Sequence, residues 1–377
     1  MMLNTKRPVL VLGSGVRLSG AMDEAIAFAH ATGIPVAPTW GALDIMPHDD
    51  PLFIGSFGTH GTRYGNFAVQ NADLIISVGS RLDSKSTGTP VNSFARAARI
   101  IMVDIDAAEI NKFQHMGLKV EGVLCDAKAY FNKFLGIERD DYSEWLARIA
   151  DWKARYPICP PEYEKEEGVN PYVLIKALSK YCTDGDIIVT DTGCTVAWMA
   201  QAFEFKKGQR FIHAWNQTPM GYGLPAAIGA HYASGKRVIL VTGDGSFQMQ
   251  NELATVAGNN LPIKIILLNN AGHAMCRQTQ REWFGSKYDS TSVAGGLTFP
   301  EFSCVAMAHG LPTSIVRENR DIFINLDWMF NKENGVAFTE IIVDAAHDVI
   351  PKLHASKPLE DMQPYLGSEQ LAKEMCV

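Results

Sequence analysis

The chain has 377 residues, 47% of them hydrophobic and 20% charged, which is too long for one small core and points to two domains of about 100 to 200 residues. A net charge of -7 with scattered Lys and Arg argues against a nucleic-acid surface, and the absence of a polybasic segment or of a run of ~18 apolar residues argues against a membrane protein. Seven cysteines without a C-x-x-C pair, Cys125, Cys159, Cys182, Cys194, Cys276, Cys304 and Cys376, read as reduced core thiols of a cytoplasmic protein, and the first residues lack a signal-peptide pattern.

In chain order, "PVLVLGSG" (8–15) reads as a strand, "AMDEAIAFAHAT" (21–32) as a helix, and "IPVAPT" (34–39), "ADLIISVGS" (72–80) and "ARIIMVDID" (98–106) as strands. Near-continuous β-branched runs punctuated by Gly are the mark of parallel strands covered on both faces. Residues 142–156, "YSEWLARIADWKARY", place Trp145, Leu146, Ile149 and Trp152 at helical spacing, and the Pro- and charge-rich 157–168 marks a boundary. A second alternating series follows: "DIIVTDTG" (186–193), "RVILVTGDG" (237–245), "IKIILLNN" (263–270) and "AFTEIIVD" (337–344) as strands, "GLPAAIGAHYAS" (223–234) and "FPEFSCVAMAHG" (299–310) as helices. The expected fold is α/β, two doubly wound, mainly parallel-sheet Rossmann-like domains. Their expected bounds are 1–141 and 169–346, joined by a helical linker at 142–168 and followed by a polar tail at 347–377.

The chemistry concentrates in 243–272, "GDGSFQMQNELATVAGNNLPIKIILLNNAG". A strand, a crossover helix of about three turns over 246–260 and a second strand form a right-handed βαβ unit, which places Asp244 and Asn270 at the carboxyl tips of neighbouring parallel strands. One carboxylate, one carboxamide oxygen and the Gly272 carbonyl suit Mg²⁺, which takes about six oxygens and only a few from protein. Gly243 and Gly245 let the main chain approach a phosphate, and Ser246 opens a helix whose positive end faces the same point. Taken singly, "GDG" is a tight turn and "NN" a strand terminator; together on one βαβ unit they read as a metal-centred diphosphate clamp.

"GDG" followed at this distance by "NN" resembles the thiamine diphosphate motif of the acetolactate synthase and pyruvate decarboxylase superfamily. "PMGYGLPAAIGA", "DTGCTVAW" and "NNAGHAMCRQTQ" are similar to further segments of that family, and the resemblance spans residues 8–344. It implies that Met220 props the cofactor in a bent form and that the Thr218 carbonyl accepts from its amino group. It also implies that Thr192, Gly193 and Thr195 lie beside the diphosphate and that His273 and Met275 line the pocket. Thr195 stands where acetolactate synthases tend to have His, and Thr279 where they have a Trp that shapes the acceptor pocket.

"VLGSGVRLSGA" carries Gly13, Gly15 and Gly20 but has Leu18 where G-x-G-x-x-G needs glycine, so a strand-to-helix turn is the reading there and a nicotinamide or sirtuin-like nucleotide site is disfavoured. "FGTHGT", "VGSRLDSKSTG", "VDIDAAEINK" and "LCDAK" resemble the family's middle, FAD-holding domain, which makes FAD a possible cofactor through Arg81, Asp104 and Asp126; Lys85 replaces a usual Arg, and a surface Arg paired with a carboxylate is the alternative. The pyrimidine-binding domain, with the Glu that activates the cofactor ring, has no counterpart in the sequence, so the catalytic acid is unknown; Glu252 reads as structural.

The resemblance implies a thiamine diphosphate- and Mg²⁺-dependent 2-oxo acid decarboxylase/carboligase with a small-molecule 2-oxo acid substrate. It further implies a homo-oligomer, dimer or tetramer. The missing domain leaves the site to be completed from outside this sequence, either by a separate pyrimidine-domain chain or by a longer form of the same protein. The alternative is a catalytically inactive thiamine diphosphate-binding or regulatory subunit.

Overall fold

Apolar runs bounded by glycine turns build two parallel sheets, each in its own compact unit. The computed structural model describes residues 5–134, 140–214, 216–331 and 335–375; Cys376 lies outside them. The units are Met1–Ile158 with Ile350–Val377, and Cys159–Val349.

In the first unit the strands are β1 (Pro8–Leu12), β2 (Val36–Pro38), β3 (Leu74–Val78), β4 (Arg99–Asp104) and β5 (Glu121–Leu124), all parallel in the order β2-β1-β3-β4-β5. β1 and β3 are buried along their whole lengths, as expected of strands covered on both faces. The turn after β1 runs against the Gly79 main chain, where a side chain on Gly13 or Gly15 would collide. Close crossing of two turns accounts for these glycines, in line with the strand-to-helix reading. The helix Ser143–Arg155 turns Trp145, Ile149 and Trp152 into this unit's core.

Residues 350–375 differ from the polar tail expected over 347–377. Leu353, Leu359 and Met362 are buried in the first unit, Lys352–Leu353 pairs antiparallel with Met362–Gln363, and the buried Asn66 amide donates to the Leu359 carbonyl at 2.9 Å. The apolar positions are too few and irregular to show a period in sequence, yet these three are buried.

In the second unit β6 (Ile187–Thr190), β7 (Arg210–Ile212), β8 (Val238–Gly243), β9 (Ile263–Asn269), β10 (Thr313–Val316) and β11 (Ala337–Ile342) form a parallel sheet ordered β10-β11-β9-β8-β6-β7. From β6 the chain goes to one side, to β7, and then returns to the other, to β8, so the order reverses beside β6. Ligand crevices form outside the carboxyl ends of strands at such a reversal.

The crossover between β8 and β9 is a correction to the sequence reading. Instead of one helix of about three turns there is a single turn, Asp244–Phe247, then a break, then Leu253–Gly258. The break lies where Gln250 turns inward and donates to Asp191 Oδ2 at 2.9 Å, a tertiary bond that interrupts the helical path. Glu252 sits at the N-terminal cap position of the second segment without a side-chain capping bond. No described helix is long and apolar enough to cross a membrane.

Candidate functional site

The tips of β6, β8 and β9 open onto a cavity of about 330 Å³. Its lining includes Thr192, Gly193, Thr195, Thr218, Met220, Gly243, Asp244, Gly245, Ser246, Asn270, Gly272, His273 and Met275. Residues spread over 84 sequence positions thus meet at one sheet edge because each follows a strand or precedes a helix there.

Asp244 is 3% exposed and is held by the loops around it. Its Oδ1 accepts from Gly245 N at 2.6 Å, and its Oδ2 from Asn270 N and Gly272 N, both at 3.0 Å. Burial pushes its carboxyl pKa up, opposed by those three N–H groups and by the positive charge of Arg277. Asn270, also buried, follows β9, the hydrogen-bonded neighbour of β8.

One carboxylate, one carboxamide oxygen and the Gly272 main-chain carbonyl make an all-oxygen donor set, the kind a hard divalent ion such as Mg²⁺ takes. Among the described residues no group of three or more His, Cys, Asp and Glu is placed to hold a metal. A divalent ion at this place would be held by amide and main-chain oxygens beside Asp244, a donor set that suits Mg²⁺ better than Zn²⁺.

The glycines keep the floor open. Gly193 has φ +82, a conformation costly for other residues. A Cβ on Gly243 would stand 3.3 Å from Thr195 Oγ1, and one on Gly245 would sit 2.6 Å from the His273 ring. Small groups on this floor leave room for a polyanion against main-chain N–H groups. Ser246 lies inside the one-turn helix that starts at Asp244, not at the mouth of a long one; a single turn sums little macrodipole, so the hydrogen-bonding groups count here and the helix dipole does not.

Above the floor Met220 is 39% exposed, an apolar side chain held at a cavity rim. Thr218 beside it has φ +48. Thr279 turns away: its hydroxyl donates to the Met275 carbonyl at 3.0 Å.

Several site residues escaped the sequence reading. Cys194, Trp198 and Cys276 also line the cavity. Asp191, 1% exposed, accepts from Thr192 N at 2.8 Å, Gly223 N at 2.7 Å and Gln250 Nε2 at 2.9 Å, joining the β6 turn, the helix Gly223–Ser234 and the broken crossover. The one available signal was its place in "DTG", directly after a strand. Arg277, buried on the helix Ala274–Trp283, donates to Asn270 Oδ1 at 3.0 Å; nothing in the sequence marked it.

The residues considered for a flavin serve local structure in the first unit. Arg81 pairs with Glu109 at 2.7 Å, Asp104 Oδ1 accepts from Asp106 N at 2.9 Å, and Asp126 caps the helix Ala127–Asn132 through Ala129 N.

Residues 1–133 match the family model described as thiamine pyrophosphate enzyme, central domain, and residues 191–341 the one described as thiamine pyrophosphate enzyme, C-terminal TPP binding domain. The chain is 34% identical over 373 residues to the acetolactate synthase large subunit of Corynebacterium glutamicum, covering 96% of this chain and 58% of that protein. It is 32% identical over 363 residues to the acetolactate synthase large subunit of Lactococcus lactis subsp. lactis, covering 95% and 61%. With the acetolactate synthase isozyme 2 large subunit of Escherichia coli it shares 32% over 356 residues, covering 93% and 62%. The chain therefore spans roughly three fifths of the length of these relatives.

Proposed function

The chain belongs to the thiamine pyrophosphate enzymes, with their central and C-terminal domains, and from that premise we propose that it forms the diphosphate-binding part of a Mg²⁺-dependent 2-oxo acid decarboxylase/carboligase of the acetolactate synthase type. The observation that carries this reading is the meeting of Asp244, Asn270 and Gly272 with Met220 around one cavity at the reversal point of a parallel sheet.

Asp244, Asn270 and Gly272 would hold Mg²⁺, and the ion would supply positive charge beside the place proposed for the diphosphate. When bound, thiamine diphosphate supplies a thiazolium carbon that acts as nucleophile and electron sink toward the 2-oxo acid carbonyl. The protein's own work is positioning. Gly193, Gly243 and Gly245 would leave room for the anion on the cavity floor, Met220 would support the cofactor ring, and His273 and Met275 would line the pocket beside it.

Asp244 is the only carboxylate among the described residues that line the cavity, and its oxygens face the loop that would carry the metal. Activation of the cofactor ring thus calls for a carboxyl group from elsewhere, which we assign to a pyrimidine-binding domain in another chain or in a longer form of this polypeptide.

Calorimetry of thiamine diphosphate with and without Mg²⁺, followed by a pyruvate-consumption assay with a pyrimidine-domain protein added, tests the reading. Mg²⁺-dependent binding with turnover supports it. Binding without turnover under any pairing leaves a cofactor-binding or regulatory subunit, and no binding sinks both.

A further inference from the structure

A buried guanidinium stands behind the loop that carries the metal-ligand set. Arg277 is 7% exposed, and its shortest hydrogen bond, 3.0 Å from Nη2, goes to Asn270 Oδ1. Bonds of 3.3 to 3.4 Å reach the main-chain oxygens of Asn270, Ala271 and Ala345, and Nε has no partner. The guanidinium is fitted to this loop: Ala271 has φ +52, and a Cβ on Gly272 would run into Arg277 Nη1.

A cation removed from water and bonded only to neutral oxygens is costly until an anion comes near. The neighbouring anion is the Asp244 carboxylate, and the cavity floor beside it is built for another. A guanidinium at this place would also meet the metal as a like charge, and it engages one of the two lone pairs of the carboxamide oxygen that the metal would take, which weakens that oxygen as a ligand.

Resting on the function proposed above, we propose that Arg277 is a positioning residue that sets how strongly diphosphate binding depends on the divalent ion. Its charge favours the anion alone, while its charge and its hold on Asn270 Oδ1 both oppose the metal. The two effects act in one direction on one quantity, the ratio of thiamine diphosphate Kd without Mg²⁺ to Kd with saturating Mg²⁺. By reciprocity the same ratio is the factor by which the cofactor tightens Mg²⁺.

The test is titration calorimetry of thiamine diphosphate into the wild-type chain, Arg277→Met and Arg277→Lys, each in EDTA and in saturating Mg²⁺, with thermal melts to show that each variant is folded. Wild type binds the cofactor measurably in EDTA; Arg277→Met binds more weakly there, and its Kd ratio rises about tenfold or more. Arg277→Lys, which keeps charge but loses the fork, falls between; should Arg277→Met not fold, a raised ratio in Arg277→Lys supports the proposal and an unraised one overturns it. A ratio unchanged or lower in Arg277→Met, or wild-type binding seen only with Mg²⁺, overturns the role of Arg277 and leaves the cofactor reading standing. Absence of wild-type binding in both conditions sinks the cofactor reading itself, and this inference with it. A residue that merely braced the loop would weaken binding in both conditions or lower the ratio.

Discussion

Asp244 Oδ2 accepts the Asn270 N–H at 3.0 Å, so the side chain at the tip of β8 is tied to the main chain at the tip of β9. The carboxylate therefore organises its own loop and, on the function proposed above, would also serve as a metal ligand. The two jobs separate by substitution. Asp244→Ala leaves the N–H groups of Gly245, Asn270 and Gly272 without their acceptor, at a cost of ~1–3 kcal/mol for each that stays dry. Asp244→Asn keeps an acceptor oxygen and loses less. Both variants are expected to weaken Mg²⁺-dependent thiamine diphosphate binding by at least about 100-fold, while melting curves drop further for Ala than for Asn. Near-native cofactor affinity in Asp244→Asn would show that the metal lies elsewhere.

Met220 makes the opposite case, a residue whose loss should affect binding and not stability. It is 39% exposed, and truncating a half-exposed side chain costs within about 0.5 kcal/mol when no other feature depends on it. Met220→Ala is therefore expected to melt with the wild type yet bind thiamine diphosphate about tenfold more weakly, with Met220→Leu close to wild type because volume is kept. An Ala variant with unchanged affinity would remove the side chain from the cofactor's support.

The βαβ unit was legible because glycine and asparagine punctuate strand tips and the runs between them are continuous and apolar. Three strands of the two parallel sheets were not. β5 is exposed and begins "EG", β7 has three residues, and β10 is a short run whose residues are mostly only half covered. None offers a run long or apolar enough to read. The helix break after Phe247 was hidden for a different reason: "SFQMQNELATVAG" is helix-compatible, and the interruption comes from a bond between Gln250 and Asp191, 59 positions away. Arg277 likewise acquires its role only from the loop that folds over it.

Asp191 should behave as a structural pivot of the site. Its two oxygens take three donors, from Thr192, Gly223 and Gln250, and the side chain is 1% exposed. Asp191→Ala is expected to cost about 3 kcal/mol or more, since each orphaned buried donor costs ~1–3 kcal/mol. For a domain of this size that is a drop of about 6–12 °C in melting temperature. Gln250→Ala removes one donor and its own packing, and should cost about 1 kcal/mol. Equal, small effects of the two variants would mean that Asp191 is not the common anchor.

In the first unit Glu374 is expected to give a pH-dependent hold on residues 350–375. Hydrogen bonding from Arg155 holds its carboxyl pKa down at about 2, against the opposing push of burial and with further help from Trp152 and Tyr156. Trp152 Nε1 donates to it at 2.8 Å and Arg155 Nη2 at 2.8 Å. The folded value lies below the ordinary 4.5, so the folded state binds this proton less readily than the unfolded one. Its contribution is then fully present above about pH 4.5 and is lost as pH falls toward 2. The full shift corresponds to roughly 3 kcal/mol, less what water screens. Glu374→Gln should lower the first unit's melting temperature at pH 7, and the gap from wild type should close between pH 4.5 and 2. Melts followed by Trp fluorescence report on it, because Trp152 touches the carboxylate; a gap that stays constant over that range would mean that the ion pair contributes nothing to holding the segment.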